Sequence, residues 1–398
     1  MTDGKISYLA REAPKEKTKR LVPGEGMVLM PGLINCHTHL PMSVLRGYAD
    51  DVELSSWLND YIFPHEDRLD GRSAKAAALL SIAECVRFGT TSISDMYNFC
   101  DEIAEAVAES GIKANIARGA TLFGEDFDFE THPACRELVA LKEKWDGYDN
   151  GRIRVEASVH GEYTSDYRLW DALSEFAINE KAGMHVHLSE TKAEHEQCLE
   201  RNGLTPAQVL DCHHVFDTRA IAAHCVWVTP EDMRLLAKRG VTAVHCPRLN
   251  LKLASGICPL KRFYDNGINL AIGTDGPASN NCLDMFREMF LTTGLAKLRE
   301  KDAAVVDAGQ VLYMATAGGA KACGLNECDA LAEGKLADLI MIDLHQPNMQ
   351  PIHNIRKNLV YSGSKQNVKM TMVAGKILYE DGEFFIGTDA AHIYEKAK

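Results

Sequence analysis

His37 and His39 stand on either side of Thr38, where the apolar run 30–36 comes to an end. On an extended strand, side chains two apart share a face, so these two imidazoles converge on one point. Neutral imidazole is a common ligand for zinc and similar divalent metals, and a pair on one strand end keeps its geometry without help from a mobile loop. That is half of a metal site. Further residues of matching chemistry close or follow later β-type runs: His160, His187, His224 and Asp275.

Elements able to bring such distant residues together follow from the chain's alternation. The first run ends at His37, and seven more short runs occupy 91–94, 113–118, 153–159, 184–188, 220–223, 241–245 and 268–272. Helical patterns separate them, as parallel βαβ units require. Residues 73–88 carry Ala and Leu at helical spacing and end at Gly89, which readily takes a left-handed stop. Thr205-Pro206-Ala207-Gln208 and Thr229-Pro230-Glu231-Asp232 both read as helix starts, with Thr as cap and Pro at the first helical position. A doubly wound sheet shares this local pattern with a (β/α)8 TIM barrel. The polar residues decide for the barrel, because its strand C-termini all open onto one face and would make neighbours of His37, His39, His160, His187, His224 and Asp275.

Composition narrows the partners. A formal net charge of -13 argues against a polyanionic nucleic acid, which needs a concentrated positive face. The first twenty residues are charged and no run of about 18 apolar residues occurs, so a signal peptide, a membrane span and a membrane partner are not expected. Twelve scattered cysteines without a Cys-x-x-Cys pair fit reduced thiols and a cytoplasmic location. Cys212-His213-His214 reads as a helix end or surface loop, since no second ligand pair stands at metal-binding spacing. P-loop, Gly-x-Ser-x-Gly and His-Glu-x-x-His motifs are absent. So is the Pro-Cys-x-x-Cys half of the cytidine-deaminase signature.

Five stretches together resemble the amidohydrolase superfamily: Pro31 through His39, His187-Leu188-Ser189-Glu190-Thr191, Ala223-His224-Cys225, Lys252-Leu253-Ala254-Ser255-Gly256 and Gly273-Thr274-Asp275-Gly276. Within it they look most like the branch of 5-methylthioadenosine and S-adenosylhomocysteine deaminases, with triazine-type chlorohydrolases nearby. The resemblance implies one divalent metal, zinc before iron, manganese or cobalt, held by His37, His39, His187 and Asp275. Other branches bridge two metals with a lysine on the fourth strand; 152–160 holds none.

Replacing an aromatic amine by hydroxyl needs a strong nucleophile, and a bound divalent metal makes one by lowering the pKa of water from 15.7 to about 7. The resemblance then implies Glu190 as general acid/base, His224 as the residue orienting the water, and Asp275 as a proton acceptor besides its ligand role. For the substrate it implies Glu66 on the ribose hydroxyls, His160 on the purine and Arg118 on the carboxylate of S-adenosylhomocysteine. Residues 40–72 are too long for a plain connection and carry Trp57, Tyr61, Phe63 and Glu66, a mixture suited to covering a small aromatic ligand.

The chain departs from the family at His245-Cys246-Pro247-Arg248-Leu249-Asn250, where relatives commonly carry smaller polar groups. Residues 30–329 are expected to form the barrel. Residues 1–29 and 330–398 are expected to join as a small β-sandwich, its N-terminal part short, because 335–342 and 368–379 alternate like strands. The expected activity is hydrolytic deamination of a 6-aminopurine nucleoside (methylthioadenosine, S-adenosylhomocysteine, 5′-deoxyadenosine or adenosine) to the inosine-type product and ammonia, in a homo-oligomer by family resemblance. A sibling reading is a free-base deaminase for guanine or cytosine, or a chlorotriazine hydrolase. A non-catalytic metal-binding protein is the reading from another class, and a proton shuttle such as Glu190 speaks against it.

Overall fold

The apolar run that carries the histidines is two strands in two different sheets. In the computed structural model, which describes residues 1–15, 18–52, 56–124 and 126–396, β1 (Met27–Pro31) pairs antiparallel with the late strand β10 (Leu339–Asp343). β2 (Leu33–Thr38) enters a parallel sheet instead. Gly32 is the joint, and a Cβ there would lie 2.1 Å from Thr91 Oγ1, so only glycine lets the chain cross between sheets at this distance.

The parallel sheet has eight strands in sequential order: β2, β3 (Thr90–Tyr97), β4 (Lys113–Arg118), β5 (Ile153–Val159), β6 (Met184–Leu188), β7 (Ala220–His224), β8 (Thr242–His245) and β9 (Asn269–Ile272). Sequential parallel order with intervening helices curls the sheet into a barrel. The last gap is bridged by loop amides, since Thr274 N and Asp275 N both donate to His37 O at 3.1 and 2.9 Å. A Cβ on Gly273 would fall 2.8 to 2.9 Å from His37 atoms, so this closure also needs a glycine.

Helix boundaries follow local chemistry. The helix Gly71–Arg87 starts on Asp70, which accepts from Ser73 N, and helices Pro206–Cys212 and Pro230–Arg239 start on capping boxes at Thr205 and Thr229. The segment Ala317–Ala322 seals the far end of the barrel. Asn115, Arg219 and Arg154 donate to the carbonyls of Cys323, Ala322 and Gly324.

The terminal segments form a separate antiparallel sheet, β1-β10-β11-β12-β13, with β11 (Val368–Val373), β12 (Lys376–Glu380) and β13 (Glu383–Phe384). Its central strands alternate between two faces that are both covered. Ile340, Ile342, Val368 and Val373 join the main core, while Leu339, Met341, Met370 and Met372 pack with Ile6 on the other face. The helix Ala390–Lys396 leaves this sheet and packs on Gly71–Arg87. Among the described residues, no helix is long and apolar enough to cross a membrane.

Candidate functional site

Strand β2 ends in an irregularity: its ladder with β3 slips between Asn35 and Thr38, at the histidines themselves. Slips of this kind re-aim side chains at barrel rims. His37 and His39 end with ring centroids 4.8 Å apart, and His187 from β6 lies 4.8 Å from His37. The possible ligand atoms of His37, His39 and His187 all lie within 4.8 Å of one another, and so do those of His37, His224 and Asp275.

The outer nitrogen of each imidazole sets the role of the inner one. His39 Nδ1 donates to Met96 O, and His187 Nδ1 donates to His160 O at 2.6 Å. In a neutral ring this leaves the Nε2 lone pair free to face the centre. His37 Nδ1 meets His185 Nε2 at 2.9 Å, and His185 Nδ1 lies 3.3 Å from Ser94 Oγ. Burial keeps these rings uncharged: it brings the His37 pKa down to about 4 and those of His185 and His187 well below the ordinary value.

Asp275 supplies the carboxylate. Gly276 N and Ser279 Oγ donate to its Oδ1 at 2.5 and 2.9 Å, while Oδ2 faces His37 Nε2 and His224 Nε2, each at 3.5 Å. Burial opposes its charge, but the imidazoles of His39, His37 and His224 hold it well below the usual carboxylate range. The Nε2 atoms of His37 and His224 are buried and lack a hydrogen-bond partner among the described residues. Stranded lone pairs around an anionic oxygen are costly unless a cation completes them, and three imidazoles with a carboxylate are a donor set that zinc and its neighbours accept. The residues therefore fit a divalent metal.

Glu190 and His224, the residues expected to handle protons, border this cluster. Glu190 Oε2 is 3.8 Å from His224 Nε2, and its Oε1 accepts from Ser255 Oγ at 3.2 Å. His224 Nδ1 points at Asn250 Oδ1, 3.2 Å away. Three of these strand ends leave the barrel through left-handed backbone: Ser189 at φ 48, His224 at φ 73 and Asp275 at φ 62. Strain of this kind in residues with a Cβ gathers where side-chain aim matters more than backbone comfort.

The substrate candidates divide. His160 is beside the cluster, 4.7 Å from the His187 ring, with Nδ1 on Thr164 Oγ1 at 3.0 Å and its pKa lowered to about 4 by burial. Glu66 arrives on the short helix Phe63–Glu66, where Tyr97 Oη donates to it at 2.5 Å. Arg118 is instead engaged by Glu137 and by Gly119 O. Trp57 is buried in the apolar core at 4% exposure. Of the covering segment 40–72, residues 53–55 lie outside the described residues, and Tyr61 and Phe63 are exposed.

The divergent stretch does not simply line a pocket. Cys246 and Leu249 pack into an apolar cluster with Ile34, Ile221 and Ala320, and Glu288 accepts from Arg248 N. Cys212 ends its helix as expected, with His213 and His214 paired to Asp171 and Asp217. Sequence reasoning missed His185, Tyr97, Ser255 and Asn250. For His185 a signal existed, because His185-x-His187 repeats the spacing of His37-x-His39.

The amidohydrolase family model matches residues 28–378. The chain is 39% identical over 393 residues to the 5-methylthioadenosine/S-adenosylhomocysteine deaminase of Dictyoglomus thermophilum, covering 99% of this chain and 91% of the relative. It is 36% identical to the 5′-deoxyadenosine deaminase of Methanosphaera stadtmanae, covering 99% and 92%. A crystal structure of an adenosine deaminase from Xanthomonas campestris with bound zinc superposes with a TM-score of 0.89 at 35% identity, over 94% of this chain and 84% of that one. The chain belongs to the amidohydrolase family.

Proposed function

We propose that this chain is a metal-dependent hydrolytic deaminase of adenine nucleosides, with His37, His39, His187 and Asp275 holding one divalent ion, zinc by preference. The donor set and the zinc bound by the Xanthomonas relative support that choice. When bound, the ion supplies the Lewis acidity that brings the pKa of water from 15.7 toward about 7.

The remaining work falls to protein groups. Glu190, steadied by the Ser255 hydroxyl, carries one proton of the attacking water to N1 of the purine. His224, with Nδ1 against Asn250 Oδ1, presents Nε2 to the water and orients it. Asp275 Oδ2 lies 3.5 Å from that nitrogen, takes the second proton and returns it to the departing amine. One water is consumed, the C6–N bond breaks, and the products are the inosine-type nucleoside and ammonia.

Glu66 accepts from the ribose hydroxyls, and His160, neutral and with Nδ1 engaged by Thr164, offers Nε2 to the purine. Because Glu137 engages Arg118, the carboxylate of S-adenosylhomocysteine would have to compete for that guanidinium. Nucleosides with an uncharged 5′ group, 5′-deoxyadenosine and methylthioadenosine among them, are the expected preference. Trp57 contributes by packing the covering segment rather than by contact. We assign the enzyme to the cytoplasm, a reading supported by twelve free cysteines, all but Cys212 buried.

The observation that carries the reading is the pair of unpartnered Nε2 atoms, His37 and His224, each 3.5 Å from one Asp275 oxygen. The test is the adenine absorbance of methylthioadenosine, S-adenosylhomocysteine, 5′-deoxyadenosine and adenosine with zinc-reconstituted and chelator-treated protein. Conversion by the first and not the second is expected. Four unchanged spectra at high enzyme concentration would overturn the reading, and turnover of guanine or cytosine alone would transfer it to a free base.

A further inference from the structure

The Glu66 carboxylate reaches the site on a segment outside the barrel, so something on the barrel must aim it. Tyr97 ends strand β3, its ring buried and 6.1 Å from the His39 ring, and its hydroxyl donates to Glu66 Oε1 at 2.5 Å. Among the described residues, the groups that act on the Glu66 charge are Tyr97, His39 and Asp67, with no lysine or arginine. A second contact ties down the same short helix: His65 Nδ1 bonds Tyr61 O at 2.8 Å, and its ring lies 4.3 Å from Tyr48.

The identity of the donor matters. A guanidinium would occupy both carboxylate oxygens in a fork and leave little for a ligand. A phenol offers one hydrogen, so Oε2 and the remaining lone pairs of Oε1 stay open. Two adjacent hydroxyls on a ring present two O–H donors a short distance apart, which an aimed and half-filled carboxylate can accept together. Burial pushes the Glu66 pKa up, and the Tyr97 hydrogen bond counters it in favour of the charged acceptor.

We propose that Tyr97 is a positioning residue that makes Glu66 a reader of the vicinal 2′,3′-diol, and so sets the preference for ribonucleosides over nucleosides lacking those hydroxyls. The proposal rests on the nucleoside reading above, in which Glu66 already takes the ribose hydroxyls, and adds to it the residue that aims Glu66. Tyr97 acts through Glu66 and leaves the purine end untouched.

Steady-state kinetics of zinc-loaded wild type and Tyr97→Phe on adenosine and on 2′,3′-dideoxyadenosine test it. Tyr97→Phe should raise KM for adenosine about tenfold, the scale of one hydrogen bond to a charged group, and move kcat by less than about threefold. KM for the dideoxy substrate should stay where it is. An equal rise for both substrates, or no rise for either, would overturn the role of Tyr97 while leaving the deaminase reading in place. Failure of the wild type to convert any adenine nucleoside would overturn both. Glu66→Asp is the second variant: it draws the carboxylate back from the Tyr97 hydroxyl without touching the barrel wall. It should show the same split between the two substrates, and an equal effect on both would count against the proposal should Tyr97→Phe not fold.

Discussion

Both ends of the barrel bury charged side chains, and they treat them in opposite ways. At the end sealed by Ala317–Ala322, each buried charge faces an opposite one. Lys113 pairs with Asp338 just ahead of β10, and Arg219 pairs with Glu156, which also accepts from Asn115. At the other end three imidazoles turn lone pairs toward one carboxylate, and the Nε2 atoms of His37 and His224 have no hydrogen-bond partner among the described residues. The first arrangement is closed and holds two sheets together. The second is open and gains its missing partner only from a ligand. Burial alone therefore does not mark a functional site, and neither does one unpartnered atom, since Glu156 Oε2 at the closed end also lacks a partner among the described residues; several unpartnered ligand atoms converging on one point do.

Substitutions can test that contrast. The largest effect is expected at the open end. Glu190→Gln should lower kcat about a thousandfold, within the range of general acid–base catalysis, while metal content measured by elemental analysis stays at the wild-type ratio. A kcat near wild type would remove Glu190 from the chemistry. At the closed end, Lys113→Met should leave Asp338 uncompensated and cost about 3–5 kcal/mol of stability, read from urea unfolding, with kcat/KM of the folded fraction unchanged. If activity fell while stability held, the two ends would not be the different kinds of site described above.

A smaller effect is expected one layer below the cluster. His185→Gln should weaken metal affinity about 10- to 100-fold, as loss of a partner behind a ligand does, measured by competition with a chromogenic chelator. An unchanged affinity would mean that His185 only fills space. An effect read through pH rather than activity is expected at Glu288, fully buried, where Asn280 Nδ2 and Arg248 N donate to it. Burial pushes its pKa up to about 8. A carboxyl raised on folding contributes stability that is complete below its unfolded pKa and is lost as pH rises through the folded one. Wild type should therefore lose stability relative to Glu288→Gln between about pH 5 and pH 8. Parallel pH profiles of the two urea midpoints would contradict this.

Much of the fold was legible because it repeats. Eight β-type runs with helices between them, and capping signals at Thr205 and Thr229, specify barrel elements locally, and each appears close to its expected place. The boundary that escaped was inside the most informative stretch. Met30 and Pro31 belong to the antiparallel sheet and Leu33 onward to the barrel, and no local pattern separates two apolar strands joined by one glycine. Of the site, the residues with distinctive chemistry were readable, since His and Asp at strand ends must converge once the barrel closes. Their supports were not. Ser255, Asn250 and Tyr97 are of types found anywhere on a surface, and only folding places them 3.2, 3.2 and 2.5 Å from Glu190, His224 and Glu66.

By itself, then, the sequence determined the element order and the barrel face on which His37, His39, His160, His187, His224 and Asp275 were expected to gather, because periodicity is a property of residue type and spacing; the choice of ligands among them came from the family resemblance. The tertiary structure decided which lone pairs point inward, which charges are already satisfied, and that Arg118 meets Glu137 while Glu66 meets a phenol. Those outcomes depend on hydrogen-bond partners brought together from strands and loops far apart in the chain. A partner contributed by a distant strand leaves no trace in local spacing.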